Sequence, residues 1–136
     1  MNAYSISDLA RDAGVSVHVV RDYLLRGLLH PAQRTASGYN IFDASALERL
    51  RFLRTSFESG IGLDELRRLC RALDTDDCRE VITNVERLCK KIDSQRKDLA
   101  DIESSLATMA RNALRHSIHG VHAARSSTDD ITALHA

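Results

Sequence analysis

The chain has 136 residues, 43% of them hydrophobic and 28% charged, with no Trp. That is room for one modest globular domain plus an appendage, or two very small units. No apolar run approaches the ~20 residues of a membrane helix, so no membrane partner is expected. Nineteen basic side chains balance nineteen acidic ones, which argues against tight non-specific binding to nucleic acid, since phosphate contacts supply most of that affinity.

Residues Ser5 to Ala13 predict a first helix, capped by Ser5 or Ser7, with Asp8 near its positive end and Ile6, Leu9 and Ala10 inward. Gly14 suits the positive φ that closes such a helix, and Ser16 can cap the next one. In GVSVHVVRDYLLRG the residues Val19, Val20, Leu24 and Leu28 recur about one turn apart. They form an inward stripe that leaves Val17, His18, Arg21, Asp22 and Arg26 toward solvent or a ligand. A short capped helix with an Arg-bearing outer face suits a DNA major groove. Leu28 to Pro31 breaks the helix.

The stretch PAQRTASGYNIF, Pro31 to Phe42, has hairpin character, with Ser37-Gly38 at its turn and Tyr39, Ile41 and Phe42 as β-favouring residues. A hairpin beside a helix-turn-helix is a wing, from which Arg34 and Tyr39 can reach the DNA backbone. Tyr39 can instead, or as well, pack on Leu28.

Asp43 predicts the cap of a third helix with Ala46, Leu47, Leu50, Phe52, Leu53 and Phe57 on a broad apolar face. A fourth begins at Leu63 with Leu66, Leu69, Cys70 and Leu73 inward. After a polar break at Asp74–Asp77, Val81, Val85, Leu88, Ile92, Gln95, Leu99, Ile102, Leu106 and Met109 alternate in spacing between three and four. That is a heptad seam over more than four repeats, expected to pair with the same helix of a second chain, Gln95 setting register. The other reading is a helix folding back on its own domain. Beyond Asn112 the pattern fades. The expected division is a DNA-binding domain over residues 1–74, a dimerisation helix over 75–113 and a flexible tail over 114–136.

Cys70, Cys78 and Cys89 make an odd set without a disulfide framework, which fits free thiols in a reducing cytoplasm, and no secretory signal is visible. There is no glycine-rich phosphate loop, no paired cysteine motif and no nucleophile with a credible base, so neither an enzyme nor a cofactor is expected.

With the segments LARDAGVSVHVVRDY, RGLLHP and RTASGY in this order, the chain resembles the MerR family of transcriptional regulators over residues 3 to about 112. The resemblance implies a mainly α fold, with a winged helix-turn-helix followed by an antiparallel coiled-coil dimer, and a homodimer on double-stranded operator DNA. It places Val17, His18, Arg21 and Tyr23 on the recognition helix and Arg34 and Tyr39 on the wing, and with the capping Ser16 and the outward Arg26 these are the expected DNA-binding residues. The opening segment is similar to secondary regulators of mercury-resistance operons, which implies a repressive co-regulator in contact with RNA polymerase or the primary mercury sensor.

Two positions depart from the family pattern. Asp22 stands where a first tyrosine is usual, and would repel phosphates unless it accepts from a cytosine amine or orients Arg21. Asn40 replaces a wing arginine. Both imply weaker DNA binding than that of a stand-alone sensor. Mercury-sensing relatives carry three cysteines. Cys78 stands at the first of these positions, and only His116, His119 and His122 follow where the other two would be. No functional metal site is therefore expected, since soft Hg(II) prefers thiolates. The alternatives are a metal-responsive activator sensing through Cys78, and a module that heterodimerises with the primary sensor.

Overall fold

In a computed structural model of the chain, residues 3–135 are described, with side-chain surroundings for residues 3–120. The elements run α1 (Ile6–Ala13), α2 (Val17–Leu25), β1 (Gln33–Arg34), β2 (Asn40–Ile41), α3 (Ala44–Glu58), α4 (Leu63–Asp74) and α5 (Cys78–His135). They fall into two compact units, Met1–Cys89 and Lys90–Ala136.

In the first unit the helix boundaries follow from capping chemistry. Ser5, not Ser7, caps α1, its side chain accepting from the Asp8 N–H at 3.1 Å. Gly14 ends that helix at φ +70°, a left-handed conformation that costs a residue without Cβ nothing. Ser16 then accepts from the Val19 N–H at 3.2 Å and starts α2. Asp43 does the same for α3, accepting from Ala46 N–H at 2.9 Å.

β1 and β2 pair antiparallel, Gln33 opposite Ile41 and Arg34 opposite Asn40. The return strand is also stitched to the start of the chain by paired backbone hydrogen bonds between Tyr4 and Phe42, both 2.8 Å. The wing is thus anchored at its base, with Phe42 fully buried beneath it.

Leu9, Val20, Leu28, Leu29, Phe42, Leu50, Leu53 and Leu66 are each under 2% exposed and form one core with Tyr23, Leu47, Ile61, Leu69 and Cys70. Full burial of each large side chain is worth roughly 1.5–3 kcal/mol, so this cluster supplies the main drive for folding. Cys70 sits there as the small buried hydrophobe its place on the α4 stripe predicts. Phe52 does not join the core. It lies two residues from Leu50, about 200° around the helix, and points to the far face of α3.

The start of α5 corrects the expected seam. Leu88 is buried in the first unit's core and Val81 packs partly against it. Both are therefore occupied within their own chain, because the first turns of α5 complete the cover over the helices that precede them. Asn84 lies buried nearby, its amide donating to the Glu80 carbonyl at 2.8 Å. By compactness the first unit accordingly extends into α5 as far as Cys89.

In the second unit the other seam residues stand clear. Ile92, Leu99, Ile102, Leu106 and Met109 are exposed, as Val85 is in the first unit, and Gln95 is partly covered. The helix does not stop near Asn112 but continues to His135. No proline interrupts it, and the single glycine, Gly120, costs only about 1 kcal/mol relative to alanine. Among the described residues no helix is long and apolar enough to cross a membrane.

Candidate nucleic-acid interface

The outer face of α2 is built by the cap at Ser16 and by Val20 and Tyr23, which turn the opposite face into the core. His18, Arg21 and Leu25 are left fully outward, three and four residues apart and so on one side of the helix. Val17 is half-buried at the helix start and packs against the core. Among the described residues Arg21 meets no carboxylate within ion-pair distance, so its full charge is available to a ligand.

The other two arginines of this region are held. Arg26 donates its Nε–H to Asp22 Oδ2 at 2.9 Å, an i,i+4 pair on the exposed surface. The carboxylate of Asp22 therefore serves Arg26, where sequence reasoning offered a cytosine amine or Arg21. On the wing, Arg34 donates its Nε–H to Asn40 Oδ1 at 3.1 Å across the strand pair. The residue that stands in place of a wing arginine thus orients the arginine opposite it. Thr35 closes the wing loop. Its hydroxyl accepts from the Tyr39 N–H at 3.0 Å, its carbonyl accepts from the Gly38 N–H, and Gly38 sits at φ +87°. Tyr39 is 73% exposed and so does not pack on Leu28.

Tyr23 is placed differently from the other predicted contact residues. It is 8% exposed, and its ring packs on Phe57 with centroids 5.5 Å apart and planes tilted by 43°. Burial raises its phenol pKa above the usual value, against the opposing charge of Arg54. Its ring belongs to the core because position 23 follows Val20 by three residues on the inward face.

Two further ties were not legible in the sequence. Asp74, at the end of α4, uses both carboxylate oxygens: Oδ1 receives Arg49 Nη1 of α3 at 2.6 Å, and Oδ2 meets His30 Nε2 at 3.0 Å, at the entry to the wing. Arg51 Nη2 donates to the Asp12 carbonyl at 3.2 Å, tying α3 to the end of α1. These bonds span 25 to 44 residues, so no local spacing announces them.

Twelve arginines, no lysine and thirteen acids precede Lys90, so the first unit is not basic overall. Placement supplies what the sum does not. Arg11, Arg26, Arg49 and Arg54 are paired with carboxylates, whereas Arg21 and Arg34 keep their charge beside the groove-sized helix and the wing. Guanidinium is also the cation whose planar fork matches a phosphate.

Cys78 is exposed at the start of α5, and Cys89 is exposed further along it. His116 and His119 lie exposed on the later part of the same helix, while the side chain of His122 falls outside those described. Among the described residues no three His, Cys, Asp or Glu side chains gather where they could hold a metal ion.

A capped recognition-type helix, an anchored two-stranded wing and two uncompensated arginines define a winged helix-turn-helix regulator. The model of the MerR HTH family regulatory proteins matches residues 4–73, and the chain belongs to that family. It is 54% identical over 116 residues to the HTH-type transcriptional regulator MerD of Pseudomonas aeruginosa, covering 85% of this chain and 96% of that one. It is 53% identical, with the same coverage, to MerD of Serratia marcescens. The mercuric resistance operon regulatory protein of Bacillus cereus is 31% identical over 109 residues, 76% of this chain and 80% of its own. Among solved structures, HiNmlR, a MerR family regulator bound to promoter DNA, shares the fold at a TM-score of 0.58 and 24% identity, covering 72% of this chain and 76% of that one. The lead(II) complex of PbrR691 from Ralstonia metallidurans CH34 matches at 0.52 and 30%, covering 79% and 86%.

Proposed function

We propose that this chain is a DNA-binding co-regulator, repressive in sign, of a mercury-resistance operon, and that it binds the operator–promoter as a homodimer. The observation that carries this reading is the joint presentation of Arg21 on α2 and Arg34 and Tyr39 on the wing, all exposed and free of carboxylate partners. The mercury operon enters through the likeness to MerD over almost the whole length of that protein. Two recognition helices would enter successive major grooves while the wings contact phosphates. The exposed apolar strip of α5 supports a second copy as the partner. With a first unit that is not basic, affinity rests on presenting two such surfaces at once, through effective concentration.

Gel retardation on the operator–promoter fragment tests this. Arg21→Ala should abolish retention while leaving the melting transition in place; undiminished binding would overturn the assignment. Footprints on the same promoter, with and without Hg(II), should be superimposable if the chain is a co-regulator and not itself a sensor.

A further inference from the structure

We infer that Asp22 and Asn40 are positioning residues for phosphate recognition, each holding an arginine by its Nε–H so that the Nη end stays free for DNA. This rests on the DNA-binding reading above and adds to it how the contacts are set. The two arginines lie on different elements, yet they are engaged in the same way. Arg26 Nε reaches Asp22 Oδ2 at 2.9 Å along α2, and Arg34 Nε reaches Asn40 Oδ1 at 3.1 Å across the wing.

A guanidinium has five N–H donors in a rigid plane, and one bond at Nε leaves four on the two Nη groups. Neither arginine has another hydrogen-bond partner among the described residues. With Nε engaged, the Nη1–Nη2 edge is the one left to take a phosphate bidentately. Fixing the plane beforehand removes part of the rotamer entropy that a long exposed side chain otherwise loses on binding. The register makes Asn40 suited to this, since it stands directly opposite Arg34 in the strand pair.

The two devices differ in one respect that can be measured. Asp22 cancels the charge of the arginine it holds, whereas the amide of Asn40 leaves Arg34 fully cationic. Arg34 therefore releases counterions when it meets a phosphate, and Arg26 contributes direction with little net charge.

Binding to the operator duplex across a salt series tests the inference. Arg34→Ala should reduce the slope of log K against log salt by about 0.9 for each phosphate that is no longer neutralised. Asn40→Ala, which keeps the charge but frees the side chain, should weaken binding about three- to tenfold with the slope unchanged. Asp22→Asn keeps an acceptor and removes a negative charge, so it should bind more tightly and with a steeper slope. Asp22→Ala should bind about three- to tenfold more weakly than Asp22→Asn, because it also lacks the acceptor. If Asp22→Ala and Asp22→Asn bind alike, or Asn40→Ala matches the parent, positioning is overturned while the DNA-binding reading stands. If the parent chain itself does not bind the operator, both fall.

Discussion

Up to Cys89, the chain's large apolar side chains find most of their partners within the chain: Leu9, Val20, Phe42, Leu50 and Leu66 are essentially inaccessible, and even Val81 and Leu88 of α5 are drawn in. From Lys90 onward, Ile92, Leu99, Ile102, Leu106 and Met109 recur at heptad spacing and stand exposed, Leu99 at 59% and Met109 at 62%. The first region has enough helices to close a core in three dimensions. The second is a single helix, which has no second surface of its own to bury a stripe against. Stability in the first region is therefore an intramolecular property, and in the second, under the homodimer proposed above, it would be a matter of concentration.

The largest effect should come from breaking the closed side of that contrast. Leu50→Ala removes a fully buried side chain at the centre of α3. It should cost about 2–5 kcal/mol in urea unfolding, a large share of the stability of so small a unit. A loss below about 1 kcal/mol would mean that the core is not the closed cluster described. Next is the open side. Leu99→Lys with Ile102→Lys places charges on the strip without touching the first unit's core, so it should weaken self-association by about 100-fold or more in sedimentation equilibrium. The unfolding of the first unit should shift by no more than about 0.5 kcal/mol. If association is unchanged, the strip is not the dimer surface.

Much of this division was visible in the residues themselves. Ser16, Gly14 and Asp43 announce helix boundaries because capping and positive φ are local chemistry, and the helix-turn-helix and wing follow from them. The pairing of Asp22 with Arg26 was also within reach, since i,i+4 opposite charges on a helix face each other. What escaped depends on tertiary placement. Periodicity assigned Val81 and Leu88 to the exposed seam, because a heptad pattern records which residues are inward-facing and not whose core they enter. Tyr23 was carried to the recognition face by resemblance, while its packing on Phe57 requires the position of α3. The ties of Asp74 to His30 and Arg49 have no sequence signature at all.

A smaller effect separates local from global order within the first unit. Ser16→Ala removes the acceptor that starts α2 but leaves the core packing untouched. It should cost about 1 kcal/mol by thermal or urea unfolding and weaken operator binding more than that loss of stability explains, because the helix start presents His18 and Arg21. Ser16→Asp, which keeps an acceptor, should restore stability. Equal losses for both variants would show that the cap is not what fixes the helix.

The smallest effect comes from the thiols, all three of which lie in the first unit and separate its closed core from its own surface. Burial raises the pKa of Cys70, with Arg49 opposing and Asp74 reinforcing the shift, whereas Cys78 and Cys89 are exposed. A raised folded value means that the folded state holds its proton longer than the unfolded state does. Below the ordinary thiol value of about 9 both states are protonated and the contribution of Cys70 to stability is complete. As pH climbs past that value the unfolded thiol ionises first and draws the equilibrium toward unfolding, until the folded thiol ionises too. Stability should therefore decline above about pH 9, and Cys70→Ala should flatten that decline while opening a small cavity. Near neutral pH, where thiolate is the reactive form, a disulfide reagent should modify two thiols promptly and Cys70 only through opening of the core. Three equally fast thiols would place Cys70 outside the closed core of the first unit.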